Sequence, residues 1–193
     1  MINWWWVRHG PTHEKTFVGW RDVPADLSDR AAIERLRAYL PQRATLVSSD
    51  LLRASATADA IESTGHTRLP HVADLREFNF GEWDGLGFQE VSDRDPALAR
   101  AYWENPGDIS PPGGESWNSA ARRVGAWVDA ENLRNTDVHI IAVAHIGVIM
   151  SQIQKAGGVT AKQAIGHKID NLSVTRLSWD GQGWHMGAIN HLA

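Results

Sequence analysis

The chain contains no cysteine. Disulfides, iron–sulfur clusters and thiol catalysis are therefore excluded, although the redox compartment is left open. Long apolar runs are missing as well, and nothing approaches the ~20 residues needed to span a bilayer. The apolar start has no basic flank and is interrupted at Arg8, too early for a signal peptide. Nor is there a surplus of positive charge: 19 Lys+Arg face 23 Asp+Glu, a formal net charge of −4. Bulk attraction to a nucleic-acid backbone is thus not expected. These absences lead to the expectation of a soluble, cytoplasmic chain with neither a membrane nor a nucleic acid as its partner.

What the chain does have is an ordinary globular composition, 42% hydrophobic and 22% charged, over 193 residues. That is enough to bury a core, and the simplest expectation is one domain over 1–193. Apolar runs predict strands at 3–7, 45–48, 138–144, 173–179 and 184–190. Helical patterns lie between them. Ser28 is placed to cap a helix in which Ile33, Leu36 and Leu40 recur at helical spacing until Pro41. A second helix is predicted from about residue 50 to 63, with Gly65 as terminator, and a third at 115–132 with Trp117, Ala121, Val124 and Val128 on one face. A fourth follows His145 and stops at Gly157 and Gly158. This alternation predicts an α/β fold: a three-layer α/β/α sandwich on a mostly parallel, mixed sheet, closed by a C-terminal hairpin around Asp180. The aromatic-rich stretch 78–114 fits least. It reads either as an insertion that walls a site or as a satellite hydrophobic cluster.

Two histidines carry the first chemical signal. His9 and His145 each stand at the end of an apolar run with a glycine close behind, and open α/β sheets bind ligands beyond the carboxyl ends of their strands. Arg8 sets a cation that can fork onto a phosphate beside the first imidazole and lowers its proton affinity. Gly10 allows close approach of backbone N–H groups to an anion, and Thr12 adds a hydroxyl. Arg53 falls in the first turn of the second predicted helix, where a cation opposes the helix dipole and calls for a compensating anion. Glu77 heads an aromatic segment that would desolvate its carboxyl and raise its pKa, as a general acid requires, with Glu82 and Asp84 as competitors. A metal site is the rival use of the histidines. His9 and His13 are four apart, but just after a strand; no His-Glu-x-x-His pattern supports them, and neither metal nor other cofactor is expected.

Taken in order, these pieces resemble the histidine phosphatase superfamily, the phosphoglycerate-mutase-like fold. The resemblance runs through Arg8-His9-Gly10 with Thr12, then Gly19, Asp22-Val-Pro and Leu27-Ser28. It continues through Ser49 to Arg53-Ala54 with Thr57-Ala58, Glu77 with Gly81-Glu-Trp-Asp-Gly85, Pro112-Gly-Gly-Glu-Ser116 and Ala144-His145. It implies a phosphomonoester hydrolase of the metal-independent histidine acid phosphatase type, acting on a small organic phosphate. His9 would be the nucleophile, Arg8, Arg53 and His145 would hold the phosphoryl oxygens, and Glu77 would serve as acid and then base. Thr12 and the backbone at Gly10 would help seat the phosphate. Mutase-type phosphoryl transfer and a non-catalytic phospholigand-binding module are the alternatives.

The chain departs from the family pattern at three places. Ile146 follows the second histidine where glycine is frequent, and would narrow the pocket. Two extra residues stand between Pro24 and Leu27, and alanine occupies 31 and 32 where a glycine is usual. The aromatics Trp20, Phe78, Phe80, Trp83 and Trp103 suggest a leaving group with apolar or ring character.

Overall fold

The fold is built outward from β1, Ile2–Arg8, whose alternating side chains enter two different cores. In a computed structural model of the chain, which describes residues 1–134 and 138–193, Trp4 and Trp6 face one side of the sheet and Trp5 and Val7 the other. Period-2 alternation alone makes this division. Trp4 and Trp6 stack at 5.2 Å and are fully buried, so truncating either to alanine is expected to cost about 3–5 kcal/mol.

The sheet has the order β3-β2-β4-β1-β5-β6. The strands β2 (Ala44–Ser48), β3 (His66–Arg68) and β4 (His139–Ala144) run parallel to β1, whereas β5 (Val174–Trp179) pairs antiparallel with β1 and β6 (Trp184–Met186) antiparallel with β5. Helices α1 (Arg30–Tyr39) and α2 (Leu52–Ile61) cover one face, contributing Ile33, Leu36, Ala54, Ala58 and Ile61 to its core. The other face is covered by α5 (Trp117–Arg134), α6 (Ile146–Gly157) and the short α7 (Ala161–Ile165). The mixed, three-layer sandwich expected from the sequence is present.

Several boundaries differ from expectation. Asp29 caps α1, its carboxylate accepting from the Ala32 N–H at 3.0 Å, while Ser28 is itself held by Asp26. The helix α2 ends at Ile61 because Glu62 turns extended, with ψ 141°, so Gly65 is not its terminator. At α6 the glycine reading holds, since Gly158 adopts φ 60°. The strand β6 is shorter than predicted, and β3 was not predicted: it is a polar edge strand of three residues that pairs through its backbone.

The stretch 78–114 contains α3 (Phe88–Arg94) and α4 (Pro96–Glu104). With Phe17 it forms a small separate core of Trp83, Val91, Ala99 and Tyr102. Trp83 is fully buried there, its indole donating to Asp95 at 2.9 Å. Phe80, Phe88, Tyr102 and Trp103 also line the main cleft. The stretch therefore has a small core of its own and also lines the cleft.

Candidate active site

The parallel strands β1 and β4 are neighbours, so their carboxyl ends deliver His9 and His145 to one place. Their ring centroids lie 5.1 Å apart. Both side chains are buried; His9 lines a cleft of about 390 Å³ together with Arg8, Thr12, Arg53, Glu77 and Ile146, and His145 packs against the His9 ring. The residues singled out from sequence thus converge, apart from Gly10. The Gly10 N–H donates to the Thr57 hydroxyl at 2.9 Å, so the expected anion contact at that amide is already used.

The backbone of His9 is clamped from two sides. Its N–H donates to the Ala144 carbonyl at 3.0 Å, and its carbonyl accepts from the Asn171 amide at 2.9 Å. The ring Nδ1 lies 2.6 Å from the Gly10 carbonyl. A carbonyl only accepts, so Nδ1 carries the proton and Nε2 keeps its lone pair. Burial, then the charges of Arg53 and Arg8, pushes the His9 pKa down to about 3. His9 is therefore neutral near pH 7, with its free nitrogen available as a nucleophile.

Burial, Arg53, His9 and Arg8 likewise hold the pKa of His145 well below its ordinary value. Neither ring nitrogen of His145 has a hydrogen-bond partner among the described residues, and the same is true of the Arg8 Nε. Buried polar atoms of this kind are seldom left unpaired without a reason. Arg8 reaches the Ile169 carbonyl at 2.6 Å through Nη1. Arg53 is 1% exposed, and its guanidinium donates to the carbonyls of Gly19 at 2.7 Å and Arg21 at 3.1 Å. The Thr57 hydroxyl, one turn later, donates to the Arg53 carbonyl at 2.6 Å while accepting from Gly10. This single hydroxyl couples α2 to the turn after His9.

Glu77 is the buried carboxyl of the cleft. Its oxygens accept from the N–H groups of Phe78 at 2.9 Å and Gly147 at 3.2 Å. Burial raises its pKa, and this outweighs the opposing effects of those N–H groups and of Arg53 and Arg8. Its competitors have other roles. Glu82 is exposed and pairs with Arg94, while Asp84 accepts from the N–H groups of Gly19 and Arg21 and so shapes the loop that holds Arg53.

Supporting residues surround Glu77. The Trp20 indole donates to the Glu77 carbonyl at 2.8 Å, and the Arg76 guanidinium lies over the Trp20 ring. Arg123 forks onto Glu115 at 2.8 and 2.7 Å and donates to the carbonyls of Asp74 and Arg76. Sequence reasoning gave no role to Thr57, Arg123, Gly147 or Asn171. Only Thr57 had a local signal, four residues after Arg53 on the same helix. The two extra residues at 25 and 26 pack against the loop after His9: the Asp26 N–H donates to the Pro11 carbonyl, and its carboxylate pairs with His13. Among the described residues, no group of three or more His, Asp or Glu side chains is placed to hold a metal ion.

The chain is similar to known proteins along nearly its whole length. A family model, the histidine phosphatase superfamily (branch 1), matches residues 4–191. A bifunctional protein of Mycobacterium tuberculosis is 34% identical over 169 residues; the match covers 85% of this chain but only 43% of that protein. This chain therefore spans less than half the length of that relative. A phosphoglycerate mutase-like protein of Arabidopsis thaliana is 32% identical, with 96% of this chain and 85% of the relative covered. Among solved structures, the Bacillus stearothermophilus protein YhfR superposes with TM-score 0.90 at 22% identity, covering 100% of this chain and 98% of that one. A mycobacterial glucosyl-3-phosphoglycerate phosphatase superposes with TM-score 0.84 at 28% identity, with both chains fully covered. On the family match over residues 4–191, the chain belongs to the histidine phosphatase superfamily.

Proposed function

We propose that the protein hydrolyses small phosphate monoesters through a phosphohistidine at His9. One observation carries this reading: a neutral, backbone-clamped histidine packs against a second histidine and shares a cleft with two arginines and a buried carboxyl of raised pKa. In the first step the His9 Nε2 lone pair attacks phosphorus and the ester P–O bond breaks. The Glu77 carboxyl gives its proton to the departing alkoxide, which leaves as the alcohol. In the second step the Glu77 carboxylate takes a proton from water as the water oxygen attacks phosphorus. The P–N bond then breaks, phosphate leaves, and His9 and Glu77 return to their starting forms.

Arg8, Arg53 and His145 hold the phosphoryl oxygens, with Thr12 at the cleft wall. Preorganised donors of this kind are each worth about 10²–10³ in rate. Because the two arginines neutralise the phosphoryl charge, turnover is expected to need no metal. Because His9 stays neutral well below pH 7, turnover is expected to persist into acid, as in an acid phosphatase. We assign the stretch 78–114 as a cap on this site within one catalytic unit, and a cytoplasmic location fits a small-molecule substrate.

The mutase reading draws on relatives such as the 2,3-bisphosphoglycerate-dependent phosphoglycerate mutase of a Methylobacterium, 30% identical over 174 residues. Among the described cleft residues, however, Lys15 is the sole cation besides Arg8 and Arg53, which is little charge for a substrate with two phosphates. The test is phosphate release from para-nitrophenyl phosphate in excess EDTA by the native protein and His9→Ala. Turnover that survives EDTA and disappears in His9→Ala supports the proposal. Equal activity in the two proteins overturns it, and no activity in the native protein favours a binding module.

A further inference from the structure

We infer that the cleft selects phosphate esters whose alcohol carries an apolar ring or chain; this rests on the phosphohistidine reading. Besides His9 and the arginines, the cleft is lined by the aromatic cluster of Phe17, Phe80, Phe88 and Trp103 and by the aliphatic side chains of Ile146 and Met150. Phe17 is the buried base of that aromatic wall. Its ring centroid lies 5.0 Å from Phe80, 4.5 Å from Phe88 and 6.0 Å from Trp103, the last nearly parallel at 17°.

The exposures of these rings separate floor from rim. Phe17 is 4% exposed, whereas Phe88 is 60% and Trp103 37%. Two aromatic faces on α3 and α4 are thus left in water in the same cleft as Arg8, His9 and Arg53. Covering such faces is favourable at about 25 cal/mol per Å², and an aromatic side chain offers about 150–250 Å². The phosphate end of the cleft fixes the reacting atom, and the wall lies where the alcohol portion must extend. A leaving group bearing a second anion would find only Lys15 there among the described cleft residues, next to Glu14, which is paired with Arg21. The aromatic set differs from the one the sequence suggested, because Trp83 turns into the small core and Trp20 caps the Glu77 segment.

The test compares 2-phenylethyl phosphate with glycerol 1-phosphate. Both are esters of primary alcohols, so the pair varies the apolar group and leaves leaving-group reactivity nearly matched. The native protein is expected to favour the phenylethyl ester in kcat/KM by about tenfold or more, the discrimination available from one buried apolar group. Phe88→Ser combined with Trp103→Ser is expected to bring the ratio near one, and Phe88→Leu to retain most of it by keeping the apolar area. A native ratio near one, or a ratio unchanged in the double variant, overturns the inference while hydrolysis itself stands. A concentration-dependent dimer lost on Phe88→Ser, with the preference intact, assigns the rim to a second copy and also overturns it. Absence of turnover on both esters overturns the inference, and the phosphohistidine reading falls with it only if para-nitrophenyl phosphate is not hydrolysed either.

Discussion

The Gly147 N–H lies 3.2 Å from one Glu77 carboxylate oxygen, and a Cβ at 147 would come within 2.5 Å of the other. The start of α6 therefore both orients the carboxyl and leaves space for it. The neighbouring departure, Ile146, lines the cleft without intruding on this contact.

Replacing Gly147 by alanine should therefore displace Glu77 without unfolding the chain. Loss of a positioned general acid costs about 10²–10⁴ in rate, so Gly147→Ala is expected to lower kcat on alkyl phosphates by roughly a hundredfold. The loss on para-nitrophenyl phosphate should be smaller, because that leaving group needs little protonation. Equal losses on both ester types would argue against Glu77 as the acid.

The working form pairs a neutral His9 with a protonated Glu77. His9 is neutral above about pH 3, and Glu77 stays protonated above the ordinary carboxylate value of 4.5 because burial raises its pKa. The kcat/KM profile should rise through the His9 ionisation and fall at higher pH as Glu77 loses its proton. Glu77→Gln is expected to remove the falling limb. If that limb persists in the variant, it belongs to another group.

Stability should carry the same signature. The His9 pKa is lowered from 6.5 to about 3 on folding, so between those values the unfolded chain binds more protons than the folded one. The stability His9 contributes is fully present above pH 6.5 and is lost as pH falls toward 3. The slope is about 1.4 kcal/mol per pH unit for each such group. Urea titrations of His9→Asn should show a shallower decline from pH 6.5 to 4.5 than the native protein. Parallel declines would place the proton uptake elsewhere, for example at His145, which is shifted in the same direction.

Thr57→Val keeps the shape but leaves the Gly10 N–H and the Arg53 carbonyl without their shared hydroxyl. An unsatisfied buried group costs about 1–3 kcal/mol, readable as a lower urea midpoint with unchanged m-value. Because the hydroxyl ties α2 to the turn after His9, kcat should fall along with stability. A variant of native stability and native kcat would show that the hydroxyl couples nothing.

The convergence of Arg8, His9, Arg53 and His145 was legible because each sits in a short local pattern at the end of a strand or the start of a helix, and Glu77, in a loop, was legible from the aromatic run that follows it. What holds them in place was not legible. Asn171 reaches the His9 carbonyl across 162 residues, and Arg123 reaches the Glu77 segment across 46; no local pattern encodes such pairings. Trp83 was read as a possible cleft residue because hydrophobicity predicts burial but not direction, and it points into the small core instead. Ser28 and Asp29 are adjacent and both suited to capping, so only the backbone path decides between them. The polar strand β3 gives no apolar signal and exists through pairing with β2.

The most direct measurement quenches the enzyme in alkali during turnover of a labelled phosphate monoester and maps any phosphoryl group on the protein. An alkali-stable, acid-labile adduct on His9, formed at least as fast as kcat and absent in His9→Ala, is the result expected here. Steady turnover with no adduct, or an adduct on any other residue, contradicts the account.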